Sequence, residues 1–160
     1  MTKIERRTLP AGTMTNRTID GIAVPYNSLS VVLRDRPRPY RERMEPRAKQ
    51  IDDSVSMFIQ HEPSSVPLGR TGAGTLRFEE RAEGLGFACD LPECRKDVIE
   101  ALERGDFDGS VSVGFIVSEG GDTWKHNRGG PSIRTVRNAR LVEISLVTSG
   151  AYGSAKSRLV

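Results

Sequence analysis

Only one stretch of this 160-residue chain carries a helical period. In RKDVIEALERGD, residues 95–106, Val98, Ile99 and Leu102, with Ala101 at the edge, form an apolar stripe at helical spacing. Gly105 stands where a left-handed residue ends a helix. Everywhere else the apolar residues fall in short runs separated by turn formers, 16 glycines and 9 prolines in all. Such punctuation favours a β-rich α+β fold over a helical bundle. Strands are expected over IERRTL, TIDGIAVPYN, VSMFIQH, GTLRFEE, GLGFACDLP, GSVSVGFIVSE and SIRTVRNARLVEISLVTS, with GGDTWKHNRGGP as a loop or hairpin tip. The expected architecture is a single domain over 1–160, a mostly antiparallel β-barrel, closed or nearly closed, with flanking helices. Residues 34–50, beginning RDRPRPYRERMEPR, are expected as an Arg/Pro-rich surface loop, because Pro37, Pro39 and Pro46 interrupt any ladder.

Composition argues against several functions. A net charge of +3 is too small to argue for nucleic acid. The six arginines of residues 34–47 are diluted by Asp35, Glu42 and Glu45, and Tyr40 alone makes no stacking platform, so an acidic protein partner suits the segment better than nucleic acid. No run reaches the ~20 apolar residues of a membrane span, and MTKIERRTLPAG has no apolar core of a signal peptide, so no membrane partner is expected and the place of action is the cytoplasm of the producing cell. Cys89 and Cys94 have no second ligand pair at zinc spacing, and they are read as ordinary thiols with no metal and no cofactor.

Three polar residues sit where apolar ones would be at home. In DGSVSVGF, residues 108–115, Val111, Val113 and Phe115 alternate with Ser110, Ser112 and Gly114. A serine nucleophile needs a base within hydrogen-bond reach and a third group to orient that base. The chain has two histidines. His61 ends an apolar strand and opens the loop EPSSVPLG, where a rigid element can position it; His126 lies in TWKHNRGG, a hairpin tip, and is the weaker candidate. Glu143, in ARLVEISLVT, has apolar residues on both strand faces, so its carboxylate needs a partner. That partner is an arginine in a structural reading and an imidazole in a catalytic one. Strand periodicity puts Ser110 and Ser112 on one face and does not choose between them.

The segment IQHEPSSVPLGRTGAGTLRFEERAEGLGFACDLP resembles the His-containing block of tailed-phage prohead (procapsid) maturation proteases. ERGDFDGSVSVGF is similar to the family's nucleophile block, and LVEISLVTSGAY to its closing strand; GIAVPYN and YRERMEPRA fit its earlier segments. The resemblance runs in order from about residue 18 to 155. It implies a serine endopeptidase related in fold to the herpesvirus capsid-maturation protease. Its substrate would be scaffold protein or the scaffolding segment of the major capsid protein inside the prohead, and it would cleave and associate with itself. By the resemblance Ser112 is the nucleophile, His61 the general base and Glu143 the acid that orients His61. Ser112 is preferred over Ser110 because it directly precedes Val113, Gly114 and Phe115. The chain departs from the family pattern at Pro46-Arg47-Ala48-Lys49, at Glu62 and at Gly150-Ala151-Tyr152. The alternative is a non-catalytic capsid-assembly or scaffold-binding β-barrel module, with His61 turned away from Ser112 and Glu143 in a structural ion pair.

Overall fold

The structure, a computed structural model, describes residues 5–9, 13–15 and 17–148, with side chains from Arg17 onward. Three sheets, one α-helix and a short 3-10 turn at Thr71–Ala73 account for its regular elements. In chain order the strands are β1 (Glu5–Leu9), β2 (Thr13–Thr15), β3 (Thr18–Pro25), β4 (Tyr40–Met44), β5 (Lys49–Gln50), β6 (Ser56–Ile59), β7 (Gly69–Arg70), β8 (Leu76–Glu80) and β9 (Gly84–Asp90). The helix α1 (Lys96–Arg104) follows, then β10 (Val111–Val117), β11 (Asp122–Lys125), β12 (Ser132–Val136) and β13 (Ala139–Leu146). The closing Gly150, Ala151 and Tyr152 lie outside the described residues.

The predicted helix forms over nearly its expected span. Val98 and Leu102 are buried, Asp97 and Arg104 complement the helix dipole at its two ends, and Gly105 closes it at φ 79°. Each buried aliphatic side chain there contributes about 1.5–3 kcal/mol of hydrophobic stabilisation.

The mostly-β expectation holds, but the described strands do not close a barrel. The six-stranded sheet runs β1-β10-β13-β6-β7, with β5 also paired to β13; the others run β11-β12-β4 and β2-β3-β9-β8. Seven of the ten strand pairings are antiparallel, whereas β4 on β12 and both β5 and β6 on β13 are parallel. Parallel pairs need long connections, and here the chain returns to β12 and β13 from strands formed far earlier in the sequence. The segment read as one closing strand breaks at Arg137 and Asn138 into β12 and β13, which belong to different sheets.

The expectation of a surface loop over 34–50 requires correction, because β4 and β5 lie within it. Tyr40, Glu42 and Met44 point inward while Arg41 and Arg43 point out, a two-residue period that the charged composition conceals. Glu42 tolerates burial because Arg134 Nη1 donates to its Oε2 at 3.0 Å. The proline-rich part, residues 34–39, remains exposed loop.

One buried apolar cluster, including Phe87, Phe115, Leu141 and Ile144, ties the sheets and the helix together. No helix among the described residues is long and apolar enough to cross a membrane.

Candidate active site

Three neighbouring strands of the largest sheet, β10, β13 and β6, each carry or deliver one of the three singled-out residues. Ser112 lies on β10, in register with Ser145 of β13; Gly114, two residues on, is in register with Glu143. Val111, Val113 and Phe115 face the core at no more than 1% exposure, which turns Ser112 and Gly114 to the opposite face.

His61 reaches that face by a turn rather than by continuing β6. Gln60 and His61 have φ of 53° and 58°, and Glu62 N–H closes the turn on Ile59 O at 3.1 Å. Two consecutive left-handed residues make the type I′ pattern, which ordinarily selects Asn and Gly. Holding Gln and His there costs about 1–3 kcal/mol each, strain of the kind found where a side chain must be aimed. The turn is anchored by Gln60 N–H to Leu146 O at 2.8 Å and by Gln60 Nε2 to Thr148 Oγ1 at 2.8 Å.

The imidazole is bonded on both nitrogens. His61 Nδ1 lies 2.9 Å from Glu143 Oε1, and His61 Nε2 lies 2.8 Å from Ser112 Oγ. An ionised carboxylate only accepts, so Nδ1 carries the proton and donates it to Glu143. The Nε2 lone pair then accepts from the Ser112 hydroxyl. The side chain of Glu143 is 6% exposed and that of His61 21%, so the imidazole is the part of this chain of bonds that solvent reaches.

Gly114 makes room for the carboxylate. A Cβ there would lie 2.7 Å from Glu143 Cγ and 2.9 Å from Oε1, closer than real contacts allow. The small residue on the polar face is therefore the seat of Glu143. Beside it, Ser145 is fully buried, and its Oγ has no hydrogen-bond partner among the described residues. Sequence reasoning named neither the seating role nor Ser145; the register between β10 and β13 reveals both.

A family model described as caudovirus prohead serine protease matches residues 2–160. The chain belongs to that family. Neither a curated protein nor a solved structure matches it significantly. Membership makes the protein a serine protease of the capsid-maturation class.

Within this prohead serine protease the other candidates fall elsewhere. Ser110 precedes β10; its N–H donates to Asp108 Oδ1 at 2.8 Å, and its carbonyl accepts from Val147 N–H at 2.9 Å. His126 sits at the tip between β11 and β12, its Nδ1 3.2 Å from Ser132 Oγ. The arginines of SIRTVRNAR pair with carboxylates: Arg134 with Glu42 and Asp122, Arg137 with Glu45, and Arg140 with Asp52. The departures from the family pattern also have structural roles. Arg47 turns the chain at φ 58°, and Ala48, 1% exposed, accepts Ala139 N–H at 2.7 Å. Glu62 takes the Ser64 N–H at 3.2 Å, and bonds from Ser64 hold its carboxyl below the usual range. Cys89 and Cys94 are free thiols, the first buried and the second exposed.

Proposed function

We propose that Ser112, His61 and Glu143 act as the catalytic triad of a serine endopeptidase that cleaves scaffold protein, or the scaffolding segment of the major capsid protein, inside the prohead, and that also cleaves itself. The observation carrying this reading is the imidazole bonded at Nδ1 to a buried carboxylate and at Nε2 to a serine hydroxyl. A non-catalytic module has no need of that arrangement, nor of the left-handed turn that aims it. A fold related to that of the herpesvirus capsid-maturation protease, implied by the resemblance, is part of the same proposal.

In the acylation step His61 Nε2 takes the Ser112 proton as Oγ bonds to the substrate carbonyl carbon, and the carbonyl electrons move onto oxygen. As the tetrahedral intermediate collapses, the C–N bond breaks and Nε2–H protonates the leaving amine. Water then attacks the acyl-serine, giving its proton to Nε2, and the carboxylic acid leaves as Ser112 is reprotonated. Glu143 holds the tautomer and stabilises the imidazolium in both halves. The oxyanion requires donors. With the three nearby-sequence arginines engaged by carboxylates, we assign that task to backbone N–H groups.

Reaction with a fluorophosphonate followed by peptide mass mapping tests the assignment. The expected adduct is on Ser112, is retained in Ser110→Ala and is lost in His61→Ala. An adduct on Ser110, or labelling that persists in Ser112→Ala, overturns it.

A further inference from the structure

Two hairpin tips meet at one end of the β11-β12-β4 sheet. Leu33 and Tyr40 exchange both backbone hydrogen bonds, at 2.7 and 3.1 Å, and so close the loop 34–39. In that loop Arg34, Arg36 and Arg38 alternate with Asp35, Pro37 and Pro39. The second tip, 126–131, joins β11 to β12. Between them lies a cleft of about 420 Å³ lined by Arg34, Arg38, His126, Asn127 and Pro131 among others.

The carboxylates near this cleft are already engaged. Asp35 accepts from Tyr40 Oη at 2.9 Å, and Glu42 and Asp122 both hold Arg134. Arg34 and Arg38 are exposed and have no carboxylate partner among the described residues. Trp124 lines an adjoining cleft that shares Arg38, His126 and Ser132 with this one: the Arg36 guanidinium lies 5.4 Å from its centroid and that of Arg134 5.6 Å, while His126 stacks on it at 6.4 Å. Prolines 37 and 39 restrict the loop, so less conformational freedom is lost when the arginines close on an anion.

We propose that this cleft docks an acidic peptide segment, carboxylate side chains pairing with Arg34 and Arg38; that the segment belongs to the protein substrate rests on the function proposed above. Guanidinium forks match carboxylates bidentately. The sheet that holds the cleft is separate from the one that holds Ser112 and Glu143. Nucleic acid fits less well. Single strands need open aromatic faces, whereas Trp124 is flanked by guanidinium and imidazole groups and Tyr40 is fully buried.

Trp124 is the single tryptophan of the chain, and it lines the adjoining cleft that shares Arg38 and His126 with this one, so its fluorescence reports on an anion closing on them. The full-length protein is titrated at low salt with hexaglutamate while tryptophan fluorescence is followed. A saturable change is expected, weakened at least about tenfold in Arg34→Ala/Arg38→Ala. The charge-matched Arg137→Ala/Arg140→Ala should bind within about twofold of wild type, because those side chains are paired elsewhere. Three results overturn the proposal: no saturable change, equal weakening in both double variants, or tighter binding of hexathymidylate than of hexaglutamate. Docking retained in Ser112→Ala, and fluorophosphonate labelling retained in Arg34→Ala/Arg38→Ala, keep this result separate from the fate of the triad.

Discussion

Replacing Gly114 by alanine isolates the contact between Glu143 and the imidazole. The backbone at Gly114 is not left-handed, so alanine introduces only its methyl. That carbon would lie 2.7 Å from Glu143 Cγ, where carbon–carbon contacts settle near 3.5–4.0 Å, so Cγ must retreat by about 1 Å. Glu143 cannot swing to solvent, since its side chain is 6% exposed on a strand paired along both edges. If Oε1 moves with Cγ, its 2.9 Å bond to His61 Nδ1 stretches beyond the ~3.2 Å limit of a good hydrogen bond. Overpacking of this kind costs about 1–3 kcal/mol of stability. Misplacing a group that orients a catalytic base by ~1 Å costs about 100-fold in rate. Urea unfolding and the fluorophosphonate labelling rate of Ser112 measure the two effects. A double-mutant cycle removes the ambiguity: in a Glu143→Ala background, Gly114→Ala has nothing to displace and should add less than ~0.5 kcal/mol. Labelling at the wild-type rate in a folded Gly114→Ala protein would refute the claim that Glu143 acts through His61.

Other consequences follow from residues away from the triad. Arg134→Ala leaves Glu42, whose side chain is 1% exposed, without its 3.0 Å partner, and should destabilise the protein by about 3–5 kcal/mol in chemical denaturation. Burial pushes the Cys89 thiol up to about 12, so an aromatic disulfide reagent at pH 8 should titrate one fast thiol, Cys94, and a second only after unfolding. Hydrogen bonds from Arg77 and then Thr18 draw the Asp90 carboxyl down to about 2. Its folded-state value is depressed, so its contribution is present above the unfolded value of about 4 and is lost as pH falls through about 2. Both partners are near half exposed and solvent-screened, so Asp90→Asn should remove less than about 1 kcal/mol of acid-dependent stability over that window, read from melts at pH 5, 3 and 2.

What the sequence made legible depended on whether a residue's environment was local. The helix was readable because Val98 and Leu102 fall on one face within a single element. Ser112 and Glu143 were noticeable because polar groups in apolar strands need partners, and those partners could be narrowed to two histidines. The choice of Ser112 over Ser110 was out of reach of periodicity, since it turns on where the chain after β6 crosses the sheet. The left-handed turn at Gln60 and His61 was equally hidden, because neither residue is a turn former and the strand pattern runs straight into them. β4 escaped notice for the opposite reason. Its inward Glu42 looks like a surface charge until Arg134, 92 residues later, is brought against it. Layer membership was not legible either, for SIRTV and ARLVEISL read as one ladder yet belong to different sheets.

The most direct test of the account is proteolytic processing during assembly with the cognate capsid protein, comparing wild type, Ser112→Ala and Ser110→Ala by the rate at which the scaffolding segment disappears. The account predicts no processing with Ser112→Ala and a near-normal rate with Ser110→Ala. Processing at the normal rate in Ser112→Ala would contradict it.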